Sequence, residues 1–562
     1  MQLFSKRSIL PALFLLLIGG VLGAQLHSSI SADDAVKQFK KMRQAFVIIS
    51  GKYVEPVDSK GLAEGGVEGM LDRLDPHSSY VPPEQAKRTR QSYEGSFGGI
   101  GIEFDVLDDT ARVVSPLAGG PSQKAGLMAG DRIVKIKDST AVGLSMQEIR
   151  KKLTGEIGTE VTFTVYRPLS DSRHTFTIER GEIPLYSISS SYMIDDKTGY
   201  IQVGRFAKST TREFLQKVDT LKADGMERLV VDLRQNPGGV MQSAVQIADE
   251  MLGTAGQTIV ETRGRSDNIN QTFRAQDGGR LAHAPITVLV DGNSASASEI
   301  LAGALQDHDR GLLVGRRTFG KALVQTPSRL NDDSFIQLTV GRYYTPVGRL
   351  IQTPYEKGDM QNYYEEKFAN RRDAVYNVQK YKDSIPDSLT YETDHGRTVF
   401  GGGGILPDYV VAPDTTSLTG FLERSEVDRL FAVSARQWFS SHDQELRRTW
   451  RDRKDEFLQT YEVPDEAVSA FWDYVQEEEI LTLTEQSDAV NPSEQTYPAA
   501  DTAEAHDLVR HHLKGYVANT LFGQGAGQPV LNEVDPAVQR AMSLWPSSQE
   551  LASYYAPTES GE

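Results

Sequence analysis

The stretch DGNSASASEILAGALQDHDRGLLVGRRTFGKALVQ, from Asp291 to Gln325, indicates the fold of the central domain. Before it, residues 285–290 (PITVLV) form a short continuous apolar run, which is typical of a buried parallel strand. From Ala297 the apolar residues recur at helical spacing, and Leu312 to Val314 resembles a second strand. The pattern predicts a strand–helix–strand unit whose small-residue turn lies where open α/β sheets bind ligands.

Three side chains of this stretch can form a nucleophilic site. Ser296 stands at the start of the predicted helix, where free N–H groups and the helix dipole favour a developing oxyanion. Lys321 has apolar neighbours, and burial would lower its pKa so that the neutral amine can accept the serine proton. Gln325 follows four residues later and can hydrogen-bond that amine. The alternative is that Ser296 to Glu299 is an S-x-x-E capping box that only begins a helix.

The longer string SASASEILAGALQD, followed by GRRTFGKALVQ, closely resembles the C-terminal processing peptidases, also called tail-specific proteases (subfamily A of peptidase family S41). In that family the nucleophilic serine precedes the lysine by 25 residues. If the lysine is Lys321, this spacing selects Ser296 over Ser294 and Ser298. The resemblance implies a ClpP/crotonase-like α/β serine protease core.

Supporting residues of the site follow from the same resemblance. It implies that Gln325 supports the lysine and that Glu299 and Asp307 are supporting acidic residues. No H-E-x-x-H motif occurs, so we predict no catalytic metal and no other cofactor.

A second glycine turn precedes this stretch. Leu229 to Leu233 is predicted to be a buried strand, and it is followed by RQNPGG, Arg234 to Gly239. Glycines after a strand let the backbone approach a ligand closely. In the resembling family such an RxNxGG turn supplies one oxyanion-hole amide and the residue after the nucleophile supplies the other. This implies Gly238, or alternatively Gly239, together with Ala297.

Short strands and glycine turns from about Ser96 indicate a different domain. FGGIGIEF, Phe97 to Phe104, resembles the carboxylate-binding loop of a PDZ domain, and residues 121–133 match its PxxxAGLxxGDxI signature. Backbone N–H groups of such a loop hold a terminal carboxylate while an extended peptide adds to the sheet edge. The implied partners are proteins with unstructured apolar C-termini, and the implied peptide-binding residues are Gly98, Gly99, Ile100, Gly101 and Ile102.

The N-terminus has the pattern of a secretory signal. Lys6 and Arg7 precede an uncharged apolar stretch, residues 9–24, which is short for a membrane span. Cleavage after Ala24 or Gly23 is imperfect, so an uncleaved membrane anchor stays an alternative. In either case we expect export to the periplasm or cell envelope.

Composition excludes some classes of function. The net charge of −17 argues against nucleic-acid binding, which needs a basic face. The chain has no cysteine, which excludes disulfides and thiolate metal sites.

The predicted architecture is multidomain, of the α/β and α+β classes. A charged, tyrosine-rich insertion precedes the closing motif GILPD, Gly404 to Asp408. Three roles are open for this insertion: a lid, a docking surface or a solvated loop. We also predict a loop over 75–85 that leads to a helix cap, a helix over 146–153, a linker or long loop over 491–503 and a last helix over 503–521. The segments are 1–24, signal peptide or membrane anchor; 25–93, N-terminal helical region; 94–183, PDZ domain; 184–415, S41 protease core with the insertion at about 353–398; and 416–562, helical C-terminal extension.

The sequence thus predicts an exported serine endopeptidase that binds C-terminal tails through its PDZ domain and cleaves through an acyl-enzyme. One alternative is a non-catalytic PDZ scaffold or chaperone on a protease-derived fold. Another is a Ser-His-Asp hydrolase using His283 or His308, although the G-x-S-x-G elbow is missing. Members of the resembling family often dimerise through terminal helices, which implies a homodimer. Membrane association through residues 9–24 depends on the anchor alternative.

Overall fold

The computed structural model describes residues 34–107, 109–117, 119–276, 279–414, 417–423, 427–485, 490–491 and 494–555. The predicted signal or anchor therefore lies outside the described residues. Within these ranges, no helix is both long enough and apolar enough to cross a membrane.

The N-terminal region is mainly helical. Its elements are α1 (34–52), α2 (Ser59–Leu71), β1 (Ser79–Val81) and α3 (Pro83–Glu94). The predicted loop over 75–85 leads to a helix, as expected, but it is shorter than predicted, because β1 forms within it and α3 already begins at Pro83. Several large apolar side chains of α1 are exposed, namely Val36, Phe39, Met42, Val47, Ile48 and Ile49.

The region predicted to be a PDZ domain, called the PDZ region below, follows with its own core around Ile133, Phe163 and Val165. Its main sheet has the strand order β3-β4-β5-β7-β8, so β3 lies at an edge, while β2 pairs with β9. The predicted helix over 146–153 is confirmed as α5, which begins with a Ser145–Glu148 capping box. The elements are β2 (Ser96–Gly99), β3 (Ile102–Leu107), β4 (Thr110–Pro116), α4 (Pro121–Lys124), β5 (Arg132–Ile136), β6 (Ser139–Thr140), α5 (Met146–Leu153), β7 (Glu160–Arg167), β8 (Ser172–Glu179) and β9 (Gly181–Pro184).

The region predicted to be the protease core contains two sheets. The first has the order β10-β11-β12-β15-β16-β21 and is parallel except for β10, while the second joins β1, β13, β14, β17 and β18 in antiparallel pairs. The predicted strand–helix–strand unit is confirmed as β15-α8-β16. The elements are β10 (Ile188–Met193), β11 (Thr198–Val203), α6 (Thr210–Ala223), β12 (Arg228–Asp232), α7 (Met241–Met251), β13 (Thr258–Gly264), β14 (Gln271–Arg274), β15 (Ile286–Val290), α8 (Ala297–Asp307), β16 (Leu312–Gly315), β17 (Leu323–Arg329) and β18 (Phe335–Tyr344).

The insertion and the closing strand complete the core. The insertion folds as α9 (Met360–Tyr376), α10 (Val378–Ser384), β19 (Thr390–Glu392) and β20 (Thr398–Phe400), and β21 (Tyr409–Val410) then pairs with β16.

The C-terminal region is predominantly helical, as predicted. The predicted linker or long loop over 491–503 is wrong in its extent, because β23 forms within it and pairs with β22, and α15 begins at Asp501. The helix over 501–522 is also not the last one, since α16, α17 and α18 follow it. The elements are α11 (Leu418–Leu422), α12 (Asp428–Trp450), α13 (Lys454–Thr460), α14 (Asp465–Glu477), β22 (Thr482–Thr484), β23 (Thr496–Pro498), α15 (Asp501–Phe522), α16 (Gln528–Glu533), α17 (Pro536–Ser543) and α18 (Trp545–Ser553).

Helices cover both faces of the six-stranded sheet. Alternate residues of a strand point to opposite faces, so Val231 and Val288 pack against α6, α7 and α8 while Val230 and Leu289 pack on the other side. That other side is covered by α17 and α18, with Trp545 among the contacts. Coverage of both faces explains why these strands read as continuous apolar runs.

Candidate active site

Two turns meet at the carboxyl ends of adjacent parallel strands. Strand β12 pairs with β15, so the turn over 234–239 lies beside the turn over 291–296. Gln235 donates to the Asp291 carboxylate from its backbone N–H (3.1 Å) and from its side-chain Nε2 (2.6 Å). The Ala295 N–H donates to the Asn236 carbonyl oxygen at 3.0 Å. The two turns therefore form one unit.

Ser296 ends the second turn in an unusual backbone conformation. Its φ is 54° and its ψ is −110°, and α8 begins at the next residue. Positive φ is uncommon outside glycine, and such strained residues are concentrated at functional sites. The expectation that Ser296 stands at the helix start is confirmed.

Gly238 packs directly against the Ser296 turn. A Cβ atom at this position would lie 2.6 Å from the Ala295 carbonyl oxygen and 2.9 Å from both the Ala297 nitrogen and the Ser296 Cβ. Its φ of 96° also favours glycine. The structure thus brings Gly238 and Ala297 together.

The backbone amides around this contact differ in their hydrogen bonding. The Gly238 N–H donates to Asn236 Oδ1 at 2.9 Å. Among the described residues, the N–H groups of Gly239 and Ala297 have no hydrogen-bond acceptor. The Ala297 N–H is also one of the free amides at the start of α8.

Glu299 does more than cap α8. Its carboxylate is fully buried and accepts four hydrogen bonds: from the Ser296 and Lys321 N–H groups at 2.9 Å each, and from the Gly320 N–H and the Thr318 hydroxyl at 2.6 Å each. Burial raises the pKa of Glu299, and the hydrogen bonds oppose this shift. The carboxylate therefore joins the Ser296 turn to the segment that carries Lys321.

Tyr343 provides a second connection between the same two residues. Its hydroxyl lies 3.1 Å from the Ser296 carbonyl oxygen and 2.7 Å from the Lys321 carbonyl oxygen. The sequence analysis does not predict this role of Tyr343, which lies in the stretch GRYYTP, Gly341 to Pro346.

Lys321 and Gln325 are in direct contact. The lysine Nζ donates to Gln325 Oε1 at 2.7 Å, and Gln325 Nε2 donates to the His77 carbonyl oxygen at 2.6 Å. Burial lowers the pKa of Lys321, although the negative charges of Glu299 and Asp75 oppose the shift. Desolvation of this kind is what a lysine base requires.

Asp307 lies at the opposite end of α8 from Ser296. It forms a fully buried ion pair with Arg349 and accepts a hydrogen bond from the Val347 N–H at 3.1 Å. The contacts of Asp307 therefore support the turn after β18.

Neither candidate histidine of the Ser-His-Asp alternative contacts Ser296. Both ring nitrogens of His308 are engaged, with Asp394 at 2.6 Å and with the Thr258 carbonyl oxygen at 2.7 Å. His283 contacts the Tyr555 carbonyl oxygen at 2.7 Å.

The predicted peptide-binding loop precedes the free edge of the PDZ sheet. A Cβ at Gly98 would lie 2.3 Å from the Gly155 carbonyl oxygen, so the loop packs tightly there. Ser122 donates to the Ile100 carbonyl oxygen from its N–H (2.9 Å) and its hydroxyl (2.6 Å). Strand β3 begins at Ile102 and has a sheet neighbour on one side.

The C-terminal region contacts both functional parts, which the sequence did not reveal. Arg234, at the start of the first turn, pairs with Asp232 (2.7 Å) and with Asp535 at the N-terminus of α17 (2.6 Å). In the PDZ region, Arg112 pairs with Asp443 of α12 at 3.2 Å.

Comparison with known proteins agrees with this organisation. Residues 197–360 match peptidase family S41, 98–179 match the PDZ domain and 23–85 match the activating protease CtpB N-terminal domain. A carboxy-terminal-processing protease of Bartonella bacilliformis is 37% identical over 333 residues, covering 58% of this chain and 76% of that protein. The chain belongs to peptidase family S41.

This S41 peptidase has further relatives of the same kind. The carboxy-terminal processing protease CtpB of Bacillus subtilis is 35% identical, covering 58% of this chain and 68% of that protein. A solved photosystem II D1 C-terminal processing protease is 31% identical, covering 56% of this chain and 83% of that one, with a TM-score of 0.32. The chain is therefore a serine-type peptidase of the carboxy-terminal processing family that carries a PDZ domain.

Proposed function

We propose that this S41 peptidase is exported to the cell envelope and cleaves protein tails with a Ser296–Lys321 dyad. The observation that carries the proposal is the double connection between these residues. Glu299 accepts both of their N–H groups, and the Tyr343 hydroxyl lies beside both of their carbonyl oxygens. These two independent connections hold together the backbone of the two residues, which supports their assignment as nucleophile and base of one site.

In the proposed reaction, neutral Lys321 accepts the proton of the Ser296 hydroxyl as Oγ attacks the scissile carbonyl carbon. The oxyanion that forms is stabilised by the N–H of Ala297 and that of Gly238, or of Gly239, whose N–H has no acceptor in the part of the chain that the structure describes. Lys321 then protonates the leaving amine as the C–N bond breaks, which leaves an acyl-enzyme. Water hydrolyses the ester with Lys321 again as the base, and the proton returns to Ser296.

Replacing Ser296 by alanine tests this proposal. We expect the variant to fold and to lose cleavage of an unstructured protein with an apolar C-terminal tail by at least about a thousandfold. Intact-mass spectrometry of rapidly quenched wild type should detect an acyl adduct that the variant lacks. Tails that co-purify with the inactive variant, identified by mass spectrometry, would give the natural substrates. Full function of the variant would instead support the scaffold alternative.

The PDZ domain is proposed to bind the substrate tail along β3, whose free edge can accept an extended peptide. An apolar C-terminal peptide should bind at least about tenfold more weakly to Gly98→Ala, because the new Cβ would collide with the Gly155 carbonyl oxygen. Fluorescence anisotropy of a labelled peptide measures this. Gly143→Ala is the control, since its φ of 83° brings backbone strain without any atom within 4 Å. Equal binding by both variants would place the peptide elsewhere.

We also propose a homodimer. The exposed apolar residues of α1 favour it, since Phe39 and Val47 are 66% and 61% exposed in the single chain.

A further inference from the structure

The insertion packs against the proposed active site. Tyr363 and Lys367 of α9 are only 3% and 2% exposed. The Lys367 Nζ lies 2.9 Å from the centroid of the Phe319 ring, two residues before Lys321 in the chain. The match to family S41 ends at residue 360, so nearly all of α9 lies outside it. This part of the insertion is therefore a buried wall of the site.

A continuous series of contacts leads from α9 to Lys321. Lys367 Nζ donates to the Tyr363 hydroxyl at 3.2 Å, and that hydroxyl lies 3.0 Å from His77 Nε2. The His77 carbonyl oxygen accepts from Gln325 Nε2, and Gln325 Oε1 accepts from Lys321 Nζ. The rings of His77 and Tyr363 are also in edge contact, with centroids 5.5 Å apart.

The His77 carbonyl determines which end of the Gln325 amide faces Lys321. A carbonyl oxygen only accepts hydrogen bonds, so it selects the NH₂ end of the amide. The amide oxygen must then point to the lysine amine. A neutral amine that donates one N–H to this oxygen has its lone pair directed elsewhere, which leaves the lone pair free to receive a proton.

His77 itself is fixed from two sides. Asp75 Oδ1 accepts the N–H groups of His77 and Ser78 at 3.0 Å each, which fixes the backbone of this turn. Tyr363 fixes the ring. Burial is the main cause that lowers the pKa of His77 to about 3, and the positive charge of Lys367 acts in the same direction. The ring is neutral at physiological pH and can accept the tyrosine hydrogen.

We propose that Tyr363 and His77 are positioning residues through which α9 of the insertion controls the base Lys321. In this arrangement α9 keeps the 75–78 turn in place, the turn orients the Gln325 amide, and the amide orients the lysine amine. The inference deepens the proposed Ser296–Lys321 dyad and rests on it. It gives a role in positioning the base to α9, nearly all of which lies outside the residues that match family S41.

The test compares two tyrosines of the same helix. Tyr363→Phe removes the hydroxyl that contacts His77, whereas Tyr364→Phe removes a hydroxyl from a residue that is 37% exposed. With a short peptide substrate we expect kcat of Tyr363→Phe to fall about tenfold with KM unchanged, since the loss of one buried hydrogen bond corresponds to about that factor. Tyr364→Phe should stay within about twofold of wild type. Tyr363→Phe should also unfold at a lower denaturant midpoint than Tyr364→Phe, because buried Lys367 and His77 lose a partner. The kcat values are therefore compared under conditions in which both variants are fully folded.

A double-variant cycle identifies the route of the effect. His77→Ala should lower kcat to a similar extent, and adding Tyr363→Phe to it should cause no further loss, because both changes break one series of contacts. If the kcat losses of His77→Ala and Tyr363→Phe multiply in the double variant, the positioning role is overturned. Equal kcat values for Tyr363→Phe and Tyr364→Phe would overturn it as well. Activity of Ser296→Ala would instead overturn the dyad itself, so the two failures are distinguishable.

Discussion

Lys321→Met should lose peptide cleavage by at least about a thousandfold and should fold to a more stable protein. Methionine has a similar length and fills the site, but it cannot accept the Ser296 proton. Its neutral thioether also removes the penalty of burying an amine. Stopped assays of peptide cleavage and urea unfolding measure the two effects. Loss of activity together with increased stability is the expected signature of a base that is kept in the site at the expense of stability.

The stability gained by Lys321→Met should depend on pH, in a direction that follows from the pKa of Lys321. Burial lowers the pKa of Lys321 below its usual 10.5, so between the folded-state pKa and 10.5 the unfolded chain binds more protons than the folded chain. The stability of wild type therefore rises with pH through that window. The advantage of Lys321→Met should be largest below the window and should vanish above pH 10.5.

An exposed lysine of the core provides the control for this experiment. Lys217→Met, on the exposed side of α6, should change neither activity nor the pH dependence of unfolding. Wild-type activity of Lys321→Met would exclude the lysine as the base. A stability gain that is equal at every pH would exclude its proposed ionisation.

The sequence predicts best where a residue pattern is local. The apolar run over 285–290 and the helical spacing after Ala297 led directly to β15 and α8, and Met146 to Leu153 is a helix with the predicted bounds. Strands β1 and β23 were missed because three residues give no measurable period. Strand β1 forms by pairing with β18, which is distant in the chain, and β23 forms by pairing with β22, which is itself too short to predict.

In the candidate site, too, the sequence predicts the residues within one stretch and not the contacts between residues far apart in the chain. Ser296, Lys321 and Gln325 are predicted from the family resemblance of one continuous stretch, and the Lys321–Gln325 contact at 2.7 Å follows a four-residue separation along that stretch. His77 contacts Gln325 through its backbone carbonyl oxygen, and a motif of side chains cannot predict a backbone contact of this kind. Asp535 reaches the first turn only because α17 packs on the central sheet, a contact between positions about 300 residues apart.

Gly238→Ala should reduce catalysis by at least about a hundredfold, comparable to the loss of one oxyanion-hole donor. The added methyl group would lie within 2.9 Å of the Ala295 oxygen, the Ala297 nitrogen and the Ser296 Cβ at once, so the turn that carries Ser296, the proposed nucleophile, must move. The measurement is kcat/KM with a peptide substrate.

Gly256→Ala separates this effect from general damage. Gly256 also has a positive φ, of 85°, but no atom lies within 4 Å of its added Cβ, so the substitution brings backbone strain without a collision. Both variants should lose stability, because alanine is strained at these angles. Only Gly238→Ala should lose more kcat/KM than its smaller folded fraction accounts for. Equal kcat/KM values in the folded fractions would mean that the Ser296 turn tolerates displacement. The oxyanion would then have to be stabilised at a distance from the Gly238 contact, which the packing of these two turns does not favour.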